Sequence, residues 1–84
     1  MKKITLYTKD YCPYCRSAKR LLSDLGAKYE EIDITDTPEK IQELVKKSGL
    51  MTVPQIFVGD KCLGGFEDIE RMHEEGKLRG ELGL

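Results

Sequence analysis

No apolar run in this 84-residue chain is long enough to cross a membrane. Lys9 and Asp10 interrupt the first apolar stretch. The basic start Met1-Lys2-Lys3 is therefore not expected to open an export signal, and a cytoplasmic protein is expected. Charge of one sign is also missing. Fourteen Lys and Arg stand against fifteen Asp and Glu, for a net charge of -1, which excludes the basic footprint of a nucleic-acid binder. Cysteine is scarce and odd in number, at three, which argues against an extracellular disulfide framework. A second C-x-x-C and an H-x₃₋₅-H are both absent. Cys62 and His73 complete a Cys₃His set with Cys12 and Cys15 on paper only, so no metal is expected. Linkers, repeats and low-complexity segments are lacking as well. One domain over residues 1–84, with a modest core and no partner copy, is the expected organisation.

What the chain does have is concentrated in Tyr7-Thr8-Lys9-Asp10-Tyr11-Cys12-Pro13-Tyr14-Cys15-Arg16. A strand-like run, Lys3 to Tyr7, precedes it. A helix-like run follows, with Ala18, Leu21, Leu22 and Leu25 at helical spacing. Pro13 suits the first helical position, where its missing N–H costs nothing. Cys12 then sits at the mouth of a helix and Cys15 one turn further in, on the same face. Bare N–H groups at a helix start favour negative charge, and Lys9 and Arg16 add cations nearby. Cys12 is the expected nucleophile, as its thiolate. Cys15 continues the apolar stripe and is the expected buried partner. A buried structural thiol is the plainer alternative for Cys12; a C-x-x-C at a strand-to-helix turn favours redox work in a reducing compartment.

Further along, Gly26 suits a left-handed cap at the end of the first helix. Lys28 to Ile34 reads as a strand, which makes a right-handed βαβ unit with parallel strands. Thr37 is expected to cap a second helix that Pro38 opens and Gly49 closes. Ile41, Leu44, Val45 and Ser48 form its inner face. Val53 to Val58 is the most strand-prone run, and Gly59-Asp60 turns it into Lys61-Cys62-Leu63. Gly64-Gly65 breaks that strand. Phe66, Ile69, Met72 and His73 mark a last helix ending near Gly76, and the tail Lys77 to Leu84 is expected to fray. The order is β-α-β-α-β-β-α, an α/β fold with a small mixed sheet. The pattern shows no exposed apolar patch.

Cys12-Pro13-Tyr14-Cys15, then Thr52-Val53-Pro54, then Gly64-Gly65 followed by Asp68, in this order and spacing, resemble the dithiol glutaredoxins. The resemblance covers nearly the whole chain. It implies the thioredoxin-like fold, with a four-stranded mixed sheet flanked by three helices. It implies glutathione-dependent reduction of disulfides, with glutathione as the electron-donating co-substrate and no bound cofactor. Glutathionylated proteins and disulfide-containing proteins, ribonucleotide reductase among them, become the expected partners. Cys12 and Cys15 are the implied catalytic pair, cycling through a Cys12–Cys15 disulfide.

The resemblance also implies a glutathione cradle made of Lys9, Tyr14, Thr52, Val53, Pro54, Gly65, Phe66 and Asp68. Lys9 would meet the glycyl carboxylate; alternatively it is a solvated surface lysine. Tyr14 would line the cleft or stand half-exposed at a helix start. Sequence alone favours a trans Val53–Pro54 bond, whereas the family carries cis there. A cis bond would turn the Val53 backbone toward the tripeptide. Gly64-Gly65 would let a ligand approach, or be a plain turn. Asp68 would accept from the γ-glutamyl ammonium, or simply favour the first helical turn. On the second helix Lys40 or Gln42 would help hold the glycyl end, although Ile41 stands nearest the expected position. Cys62 reads as a small apolar residue or a third oxidisable thiol, and His73 as helix-terminal. Two rivals stand beside glutathione chemistry: a redoxin reduced by a flavoprotein reductase, and an iron–sulfur carrier, which Pro13 disfavours.

Overall fold

Strand β1, Ile4–Thr8, carries the fold because its alternate side chains feed two separate cores. The computed structural model describes residues 2–84. After β1 come α1 (Pro13–Asp24), β2 (Glu30–Asp33), α2 (Pro38–Ser48), β3 (Gln55–Val58), β4 (Lys61–Gly64), α3 (Phe66–Glu74) and α4 (Leu78–Leu82). The sheet runs β2-β1-β3-β4, with β1 and β2 parallel and the other pairs antiparallel. This is the mixed sheet and element order expected from the sequence, with one helix more.

Ile4 and Leu6 of β1 join Ile56 and Val58 of β3 on one face, beneath Ala18 and Leu22 of α1 and Ile69 of α3. Tyr7 and Phe57 point the other way and meet Ile34 and Leu44, the latter from α2. Their rings contact edge-on, with centroids 5.6 Å apart. Cys62 and Leu63 fall on opposite faces. A one-residue slip between the Ile56–Gly64 and Phe57–Cys62 pairs places the bulge there.

Two local expectations are corrected. Thr37 precedes α2 but makes no side-chain cap; its hydroxyl donates instead to the Asp33 carbonyl, 3.4 Å away. The C-terminal tail does not fray. Leu78 and Leu82 are one helical turn apart on α4 and are only 1% and 0% exposed within the first core. The Leu84 N–H donates to the Arg79 carbonyl at 2.9 Å, and Glu81 pairs with Lys61 of β4 at 2.8 Å. An isolated five-residue helix is marginal, so tertiary burial holds this one. Leu82→Ala should therefore cost about 2–5 kcal/mol, read from the urea midpoint; a loss under about 0.5 kcal/mol would indicate a dispensable tail.

Candidate active site

Cys12 caps α1. Its backbone is extended (φ −108°, ψ 102°), Pro13 opens the helix, and its Sγ accepts the Cys15 backbone N–H at 3.2 Å. A sulfur in that position faces the positive end of the helix, where negative charge is favoured. The preceding loop is held by Asp10, whose N–H donates to Thr35 Oγ at 2.9 Å, and it turns through Tyr11 at φ 56°. Cys15 lies one turn inward and is 2% exposed. Burial pushes its thiol up to about 12, the hydrogen bond with Cys12 adds to this, and the Lys9 backbone pulls back. All three cysteines are free thiols. The two sulfurs are thus unequal: one partly open at a helix mouth, the other buried and protonated. Limiting iodoacetamide near pH 6 should label Cys12 before Cys15, as peptide mass spectrometry would show; the reverse order would exchange their roles.

Beside Cys12 runs a groove of about 370 Å³. The Val53–Pro54 bond at its floor is cis, and the Cys12 thiol points to the Val53 carbonyl at 4.0 Å. Tyr14 and Phe66, with ring centroids 6.2 Å apart, stand along it. Thr52, Pro54, Gly65 and Asp68 complete the part of the lining that the sequence anticipated. Lys9 does not line this groove. It lies on the opposite flank of Cys12, in a smaller cavity shared with Cys15, Arg16, Lys19 and Glu31. On α2, Lys40 pairs with Glu43 at 4.0 Å, Gln42 is exposed and Ile41 packs on the second core; none lines the groove.

The structure gives Gly64 a different reason from the one anticipated. A side chain at Gly64 would meet Asp68 Oδ2 at 2.3 Å, so the open space serves the protein's own carboxylate. Asp68 Oδ2 accepts the Gly65 N–H at 2.9 Å, and Oδ1 pairs with Arg71 at 3.2 Å. The first-turn role of Asp68 is therefore realised, with its side chain still on the groove wall. Gln55 was missed. It is 1% exposed, and its Nε2 donates to the Leu50 and Thr52 carbonyls at 3.1 and 2.7 Å, which folds the connector against the groove. A glutamine inside the most apolar strand run was the available signal.

Cys62 packs half-buried in the second core, its thiol 4.0 Å from Gln55 Oε1, and His73 is exposed near the end of α3. Several large apolar side chains are nonetheless exposed one by one. Tyr11, Tyr14, Leu50 and Met51 are 92%, 58%, 51% and 64% exposed, and they come from the two segments that flank Cys12 and the groove.

A reachable sulfur capping the first helix, a buried partner one turn on and a peptide-sized groove at the next strand define a thiol–disulfide oxidoreductase of thioredoxin-like fold. Residues 4–63 match the glutaredoxin family model. A glutaredoxin of Neisseria meningitidis serogroup A is 45% identical over 83 residues, 98% of either chain. Glutaredoxin 3 of Escherichia coli K12 is 41% identical over 78 residues, covering 93% of this chain and 94% of that one. A buckwheat glutaredoxin–glutathione complex superposes with a TM-score of 0.85 at 34% identity, over 98% of this chain and 77% of that one. The chain belongs to the glutaredoxin family.

Proposed function

We propose that the protein reduces glutathione mixed disulfides and protein disulfides in a reducing compartment, with glutathione as donor. The single observation that carries this is the groove beside Cys12, whose Val53 carbonyl stands 4.0 Å from the attacking sulfur. The similarity to a glutaredoxin crystallised with glutathione supports the choice of tripeptide. Glutathione linked to Cys12 would lie along this groove. Its cysteine backbone would pair with Val53 as an added strand does. Its γ-glutamyl carboxylate would face the N–H groups at the start of α3. Lys9 would reach the glycyl carboxylate from the far flank only if the tripeptide spans Cys12.

The Cys12 thiolate attacks the glutathione sulfur of a mixed disulfide, and the protein thiol leaves. A second glutathione attacks the Cys12–glutathione bond, yields oxidised glutathione and restores the thiolate. With a protein disulfide, Cys12 attacks first and Cys15 displaces the product, leaving a Cys12–Cys15 disulfide that two glutathiones reduce. No general base is needed for the first attack when the sulfur is already ionised. The test supplies glutathione as the sole reductant and follows reduction of a glutathionylated peptide. Sustained turnover is expected. Turnover that appears only when a flavoprotein disulfide reductase is added would replace glutathione as donor.

A further inference from the structure

A cavity of about 180 Å³ opens on the flank of the two thiols away from the groove. It is roomy enough for ordered water. Its charged walls are balanced: Lys9, Arg16 and Lys19 against Asp10, Glu31 and Asp33, with Cys12 and Cys15 at its head. Among these, one group is held in place from three elements. Lys19 follows Cys15 by one turn of α1, on the same face. Its Nζ lies 2.7 Å from Glu31 Oε2 on β2. That same oxygen accepts from Thr8 Oγ at 2.8 Å, at the end of β1. Thr8 is 1% exposed, so the anchor is fixed in the core.

We infer that Lys19, positioned by Glu31 and Thr8, places its cation beside Cys15 and supports ionisation of that thiol in the second half of the dithiol reaction. This rests on the roles proposed above for Cys12 and Cys15. Burial disfavours the Cys15 thiolate most strongly and Cys12 adds to this, while the Lys9 backbone and, more weakly, Lys19 act in the opposite sense. Lys19 itself stays protonated, its affinity for the proton raised chiefly by Glu31. Glu31 resists the upward push of partial burial because Lys19 and Thr8 both donate to it, and its lowered pKa makes it a poor base. The proton from Cys15 therefore goes to water in the cavity. Cys15 Sγ then attacks Cys12 Sγ, the Cys12–Cys15 bond forms, and the bond from Cys12 to the substrate sulfur breaks. The substrate leaves as a thiolate that takes a solvent proton. Two electrons pass from the dithiol to the substrate disulfide.

Neutral 4,4′-dithiodipyridine separates the two halves. In a Cys62→Ala background only two thiols remain, and thiopyridone release by stopped flow has two phases. Attack by Cys12 gives the first, and attack by Cys15 the second. Lys19→Met should slow the second phase several-fold, less than the about tenfold that one full unit in thiolate population would give, because Glu31 partly offsets the cation. It should move that phase's pH profile upward and leave the first phase within about twofold, as expected for a screened, partly exposed charge. Lys19→Arg should restore the second phase. An unchanged second phase, equal losses in both phases, or failure of arginine to rescue would each overturn the inference. A second phase that persists in Cys15→Ser would instead overturn the thiol roles themselves.

Discussion

Serine at Cys12 is expected to abolish turnover of both substrate classes, whereas serine at Cys15 should abolish only the reduction of protein disulfides. The asymmetry follows from the two environments. A serine hydroxyl at residue 12 keeps the cap, since its oxygen can accept the Cys15 N–H as the sulfur now does at 3.2 Å. Stability should thus survive while the nucleophile is lost, because a hydroxyl there does not ionise and does not exchange with disulfides. A loss on the order of 10³-fold or more is expected, as for removal of other covalent nucleophiles. Cys15 is 2% exposed and cannot meet a bulky substrate directly. In the proposed mechanism its contribution is confined to displacing product from Cys12, a step that glutathione would perform when the mixed disulfide carries glutathione. Cys15→Ser should hold the glutathionylated-peptide rate within a few-fold of the parent. Equal losses in the two single variants, measured on both substrates, would sink this division of labour.

The placement of the two sulfurs was legible in sequence because it is local. Cys12, Pro13 and Cys15 sit within one helical turn, and helix geometry alone assigns one sulfur to the mouth and the other to the inner stripe. The same holds for Gly26 and Gly49, which both end helices with left-handed backbone, at φ 75° in each case. The parts that escaped are relations between distant segments. Thr8, Lys19 and Glu31 meet only when β1, α1 and β2 come together, and nothing in any one of those segments marks the others. Tyr14 looks like a scattered aromatic until folding brings Leu50 to the same groove. Leu78 and Leu82 looked like a fraying tail because a five-residue helix has little stability of its own; the core that covers them comes from β1 and α3. The groove-lining motifs were recognisable by resemblance, but the resemblance does not explain why Gly64 has no side chain. The geometry of Asp68 does.

Alanine at Gly64 should be among the most destabilising single methyl additions in the chain. Two penalties act together. The residue sits at φ 108°, a region that L side chains rarely adopt, and the added Cβ would lie 2.3 Å from Asp68 Oδ2 and 2.7 Å from its Cγ. Left-handed backbone costs a non-glycine residue roughly 1–2 kcal/mol. Displacing the Asp68 carboxylate frees the Gly65 N–H, now bonded at 2.9 Å, and loss of such a cap costs about 0.5–2 kcal/mol. The sum is about 1.5–4 kcal/mol, and a domain of this size loses about 4–8 °C in Tm per kcal/mol. Gly65→Ala is the matched control. Gly65 has φ −95°, and its added Cβ would meet only the Pro54 carbonyl, at 3.4 Å. It should lose under about 1 kcal/mol, a typical cost for a mild substitution. The two penalties at Gly64 also separate. In a Gly64→Ala/Asp68→Ala double variant the clash is gone and the backbone strain remains, so the pair should lose less than the sum of its singles. Thermal melts of the parent, the three single variants and the double variant decide it. Equal Tm losses for the two glycine variants, or strict additivity in the double variant, would show that the carboxylate does not occupy the space that Gly64 leaves open.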